Sequence, residues 1–163
     1  GEQRYRRSLY TIWRRTYLHP TLSNFDAPNR VTCSADRERT NTPLQALTLM
    51  NDPIFLEAGF GLARRMFDRS KSNSIKDAIR FGFCLSTTLD PDQKETDALR
   101  GLYEKSLRTF SEDGDSAYKL LNSVRGELAL GVSPLNASEV ALLAAWFQVA
   151  NVLLNLDETI SKG

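Results

Sequence analysis

The stretch NRVTCSADRERTNTPLQALTLMNDP, residues 29–53, decides how the chain is read. Its second half carries helix punctuation. Thr42-Pro43 supplies a hydroxyl cap and then a proline at the first helical position, where its missing N–H costs nothing. Leu44, Leu47, Thr48 and Met50 follow at helical spacing. Pro53 disfavours the α conformation in the residue before it, so the break falls at Asp52, which caps a second helix. The spacing predicts two closely coupled helices, 43–50 and 53–69, at an angle set by Asn51-Asp52-Pro53.

The first half of the stretch is polar, with Asp36-Arg37-Glu38-Arg39 alternating in sign beyond Cys33. Arg30, Arg37, Arg39, Asn41, Gln45, Asn51 and Asp52 form the candidate cluster. Two readings stand side by side. A buried arginine fork can hold carbonyls or a carboxylate and staple the segment to the helices. Alternatively, arginines beside two helix N-termini suit an anion, a carbohydrate or a hydrolytic site. No catalytic residue is assigned.

Outward toward the C-terminus the pattern is amphipathic helix. Helix 53–69 is expected to present Phe55, Gly59, Leu62 and Met66 on one face. Ser74 caps a helix over 75–85 with Ile75, Ala78, Ile79 and Phe83 inward. Asp90-Pro91 repeats the cap-plus-proline device and opens a helix over 91–110 that buries Leu99, Leu102, Tyr103, Leu107 and Phe110. A short helix is expected over 117–124. Asn136 and Glu139 read as a capping box opening the last helix, 137–156, which is apolar on most sides and should be the most buried. Gln148, Asn151 and Asn155 interrupt its apolar run, so no membrane span is expected. Asn155 and Asp157 are expected to satisfy donors near its end, Asp157 as a partner for the basic front.

Outward toward the N-terminus, RYRRSLYTIWRRTYL (4–18) fits a helix or a strand equally. Leu9, Ile12 and Trp13 suit a helical face. Trp13 between arginines is a packing residue or a cation–π platform, and with Tyr10 and Tyr17 a carbohydrate surface. Residues 19–28, with two prolines, read as loop.

Composition places limits on function. The 163 residues are about one domain, with 41% hydrophobic and 25% charged residues and a net charge of +1. That balance gives no global argument for nucleic acid or membrane. Residues 1–39 nevertheless hold eight arginines, no lysine and four acids, a basic front expected to pair internally. One histidine, His19, and two cysteines, Cys33 and Cys84, offer neither a disulfide framework nor a close ligand set for metal. There is no calcium loop, phosphate loop or nucleophile elbow.

The strings RRSLYTIWRRT (6–16), FDAPNR (25–30), RERTNTPLQALTLMNDP (37–53) and AAWFQVANVLLNLDETI (144–160) resemble the planctomycete-specific PSD1 domain, DUF1553. The resemblance runs from Arg6 to Ile160. It implies an uncharacterised domain at the C-terminal end of larger multi-domain proteins that often carry a cytochrome c-like domain. It carries over no catalytic residue. No C-x-x-C-H haem attachment occurs here, so haem would belong to the parent protein and no cofactor is expected in this chain.

Together these readings predict an all-α, compact irregular bundle of six or seven helices with an arginine-rich, partly irregular N-terminal third. The chain is expected to be one domain over 1–163, a fragment of a larger extracytoplasmic protein. Its expected role is non-catalytic docking onto other domains of that parent.

Overall fold

The computed structural model describes residues 8–13, 17–28, 40–124 and 136–160. Among them are eight α-helices and no strand, as an all-α bundle requires. They are α1 (Pro20–Asn24), α2 (Pro43–Asn51), α3 (Pro53–Ser72), α4 (Ile75–Thr87), α5 (Gln93–Glu112), α6 (Gly114–Val124), α7 (Ala137–Leu154) and α8 (Asp157–Ile160). Without the two shortest, α1 and α8, the count is six, at the lower end of the expected six or seven. α1 lies in the region expected to be loop: Pro20 sits at its first turn, where a missing N–H breaks no helical bond.

α7 is the centre of the bundle, packed mainly against α3 and α5, then α6. Its buried residues include Leu143, Ala144, Trp146, Phe147, Ala150 and Leu153. The alanines let neighbouring helices approach closely, and Trp146 meets Tyr103 of α5 with ring centroids 4.3 Å apart. α7 has the length and apolarity of a membrane span, yet half of that window is buried inside the bundle. Glu139 accepts from the Asn136 backbone N–H, as the capping pattern predicts, and also pairs with Lys71 at the end of α3.

α3 turns a broader face inward than expected. Phe60, Ala63 and Phe67 join Gly59 and Met66 in the interior, while Phe55 and Leu62 are half-buried. α4 buries Ala78, Ile79 and Phe83 as expected, but Ile75, the first residue of the helix, is exposed. At Gly82 the two helices come so close that an added Cβ would lie 2.5 Å from the Met66 sulfur.

The start of α5 corrects the sequence reading. The cap is Asp92, whose side chain accepts from the Glu95 N–H while Glu95 accepts from the Asp92 N–H. Asp90 instead takes both arms of the Arg80 guanidinium, at 2.7 and 2.9 Å. A capping box satisfies two backbone donors reciprocally, which Asp90 alone could not do. Leu99 and Tyr103 are buried, and Leu102, Leu107 and Phe110 pack half-buried against the core.

In the N-terminal region Ser8–Tyr10 is a short 3₁₀ turn, and Ile12 is 84% exposed rather than on a buried face. Arg30, Cys33, Arg37 and Arg39 lie outside the described residues.

Candidate functional site

α2 inverts the usual helix rule. Its buried residues are Gln45 and Leu49, whereas Leu44, Leu47 and Met50 are 60%, 57% and 50% exposed. Ile54, one turn further on in α3, is 40% exposed. The helical spacing of the sequence is real, but the apolar stripe points away from the core.

Gln45 is inside because it is the hub of a polar latch. With Thr42 it makes a capping box: Gln45 N–H donates to Thr42 Oγ1 at 3.3 Å, and Thr42 N–H donates to Gln45 Oε1 at 3.0 Å. Its amide nitrogen then reaches three oxygens: Asn24 O at 2.9 Å, Thr40 Oγ1 at 3.2 Å and Asp26 Oδ2 at 3.3 Å. Two N–H groups shared among three acceptors leave the amide fully used. Asp26 Oδ2 also accepts from the Thr40 N–H and hydroxyl, at 2.8 and 2.7 Å. Asp26 adopts φ 55°, a left-handed conformation that aspartate tolerates better than most residues and that aims its carboxylate at Thr40. Asn24 completes the latch by donating to Leu44 O and Thr48 Oγ1.

The latch joins two of the strings singled out in the sequence. FDAPNR contributes Asp26, and RTNTPLQAL contributes Thr40, Thr42 and Gln45. The next residue, Asn41, donates to Asp157 Oδ1 at 2.9 Å, tying α2 to the start of α8. Asn51 donates to Leu47 O at 2.8 Å. Asp52 Oδ1 accepts from the Ile54 N–H at 2.9 Å, capping α3. Thus Asn41, Gln45, Asn51 and Asp52 of the expected cluster each hold a protein partner, and the three arginines lie outside the described residues. Asn24, Asp26, Thr40 and Thr48 were not anticipated. They gave no local signal, because the bonds that Asn24 and Asp26 make to Thr40 and α2 span 14 to 24 residues.

Held by this latch, α1 forms one wall of a cleft of about 490 Å³. Trp13, Leu22, Phe25, Leu49, Phe55 and Leu154 supply most of its surface. Phe25 and Phe55 meet at 5.7 Å with their planes tilted by 52°. Trp13 is half-buried and donates to Ser8 O at 3.2 Å, so its indole is a packing element of this wall.

A separate polar group sits on α4. The Arg80 guanidinium, with a hydrogen bond from the Cys84 thiol, holds the Asp90 carboxyl down to about 2. Burial pushes the Cys84 thiol up from its ordinary range, and the Asp90 carboxylate acts in the same direction. Cys84 is a free thiol. A raised thiol pKa disfavours the thiolate, the nucleophilic form. Among the described residues no group of three His, Cys, Asp or Glu side chains is placed to hold a metal ion.

Fold and site define a small all-α domain whose N-terminal turn is fastened by polar side chains onto a two-helix corner. The family described as PSD1, protein of unknown function (DUF1553), matches residues 1–103, and the chain belongs to that family. No curated protein and no solved structure matches it. The matched residues include the latch, α2 and α3, while α7 lies beyond them.

Proposed function

We propose that this chain is a non-catalytic interaction module that docks through the outward face of the α2–α3 corner. The supporting observation is the inversion of α2: Gln45 is buried at 1% exposure while Leu44, Leu47, Met50 and Ile54 face solvent. Exposed apolar side chains in one contiguous helical stripe mark interaction surfaces more often than scattered single ones. The surroundings agree. Residues 40–63 contain no lysine or arginine, and their two acids are buried Glu57 and the helix-capping Asp52. Depletion of charge around an apolar centre is the compositional mark of an interface core.

The proposed partner is another domain of a larger parent protein, one of the extracytoplasmic, cytochrome c-associated kind that the planctomycete family resemblance implies. Docking within one polypeptide suits a small patch, because tethering raises the effective concentration. The engagement of Asn41, Gln45, Asn51 and Asp52 in protein contacts favours this reading over an anion or carbohydrate site at 30–52.

A photoreactive side chain at Leu47 in the full-length protein tests the proposal. The expected result is a cross-link to a defined segment outside this domain, lost when Leu44 and Met50 are both replaced by aspartate. A Leu47 probe that labels no protein segment, in a correctly folded full-length protein, would overturn it.

A further inference from the structure

We propose that the cleft bounded by α1, α3 and the ends of α7 and α8 is a binding site for a neutral small molecule with an apolar, ring-bearing body. The inference does not depend on the outward face of α2, which lies on the other side of that helix.

Size comes first. A volume of about 490 Å³ falls within the range of small-molecule sites. It is roughly three times the ~150 Å³ apolar cavity that suffices for benzene. A single partner side chain would leave most of it unfilled, whereas two or three fused rings fit.

Electrostatics then narrows the class. Among the described residues, none that lines the cleft carries a charge. Against those walls an ionised group would lose its hydration without a counter-charge to replace it. The described walls are mainly aromatic and aliphatic, with Trp13 and the Phe25–Phe55 pair lining them, and aromatic side chains of this kind favour a ring-bearing ligand in offset or tilted geometry.

The polar contacts narrow it further. Of the lining hydroxyls, Thr159 already donates to Leu153 O at 2.7 Å. The Thr21 side chain, half-buried on the wall formed by α1, has no hydrogen-bond partner among the described residues. With the exposed Ser8 hydroxyl, it is a lining group left to bond a hydroxyl or carbonyl on an otherwise apolar ligand. A small number of orienting polar groups in an apolar pocket is the usual composition of such sites.

The full chain is titrated with N-phenyl-1-naphthylamine, a neutral fluorescent two-ring probe, and with 2-naphthol as a hydroxyl-bearing competitor at neutral pH. Expected are saturable one-site fluorescence enhancement, displacement by 2-naphthol, and about tenfold weaker binding of both in Ala58→Trp. Ala58 is exposed on α3 and borders the cleft, so the indole fills the space without entering the core. Thr21→Val should weaken 2-naphthol and leave the naphthylamine unchanged. Ile160→Trp, on the part of the lining that α8 supplies, serves as the second blocking variant should Ala58→Trp fail to fold. Absence of saturable binding would overturn the proposal, as would full binding in a folded blocking variant. Displacement by dodecanoate but not by 2-naphthol would overturn the ring-bearing class.

Discussion

Asn41 donates from its side-chain amide to Asp157 at 2.9 Å, joining residues 116 positions apart in the chain. The bond ties the α2 cap region to the first residue of α8, the helix that ends the described chain beside the cleft. Both side chains are exposed, so the bond is modest in energy and its value is positional. Replacing Asn41 by alanine should cost about 0.5–1 kcal/mol by denaturant unfolding. Asp157→Asn should be non-additive with it in a double-mutant cycle, the mark of groups in direct contact. Additive effects would show that the two residues act separately.

Gln45 is a different case because it is buried. Gln45→Ala leaves Asn24 O, Asp26 and Thr40 short of a donor and removes half of the α2 capping box. A loss of about 2–3 kcal/mol is expected, the size seen when a buried polar network loses a partner. Gln45→Leu should be no better, since Asn24 O still loses its side-chain donor. The same variants should loosen α1 and raise hydrogen exchange at the Phe25 and Ala27 amides. An unchanged unfolding midpoint would show that the latch does not hold the fold.

At Gly82 the expected cost comes from space. An alanine Cβ would stand 2.5 Å from the Met66 sulfur and 2.7 Å from its terminal methyl. Met66 is 0% exposed, so its side chain must shift within the packed core. Gly82→Ala should therefore destabilise by about 1–3 kcal/mol despite its better helix propensity. Met66→Ala combined with Gly82→Ala should show favourable coupling, because the smaller side chain vacates that space.

The Arg80–Asp90 pair predicts a pH dependence of definite sign. The folded state holds the Asp90 carboxyl down to about 2, below its value in the unfolded chain. Its contribution is therefore fully present above the ordinary carboxylate range and is lost as pH falls through that range toward about 2. Asp90→Asn should narrow the difference in unfolding midpoint between near-neutral pH and pH near 2. Both side chains are more than half exposed, so salt should weaken the effect. An identical pH profile in the variant would show that the pair does not couple to folding.

Much of the helical plan was legible in the sequence. Thr42-Pro43, Asp52-Pro53, Ser74 and Asn136 with Glu139 are local signals, and each opens a helix in the structure. Capping acts over three residues, so the chain states it without help from the fold. The apolar run of α7 likewise declared a core helix. Where two local signals competed, the sequence misled: Asp90-Pro91 resembles a cap, but Asp92 with Glu95 satisfies more backbone donors and Arg80 claims Asp90.

The sequence by itself determined the class, the starts of α2, α3, α4 and α7 and the central helix, because those depend on propensity, capping and periodicity within a few residues. The tertiary structure alone decided which face of α2 is inside. Apolar spacing marks a stripe but not its direction, and here oxygens of the distant Asn24 and Asp26, with that of nearby Thr40, hold Gln45 inside while Leu44, Leu47 and Met50 face out. It also decided that Trp13, Phe25, Phe55 and Leu154 share a cleft. Those residues lie on separate elements, and only long-range packing and hydrogen bonding place them together.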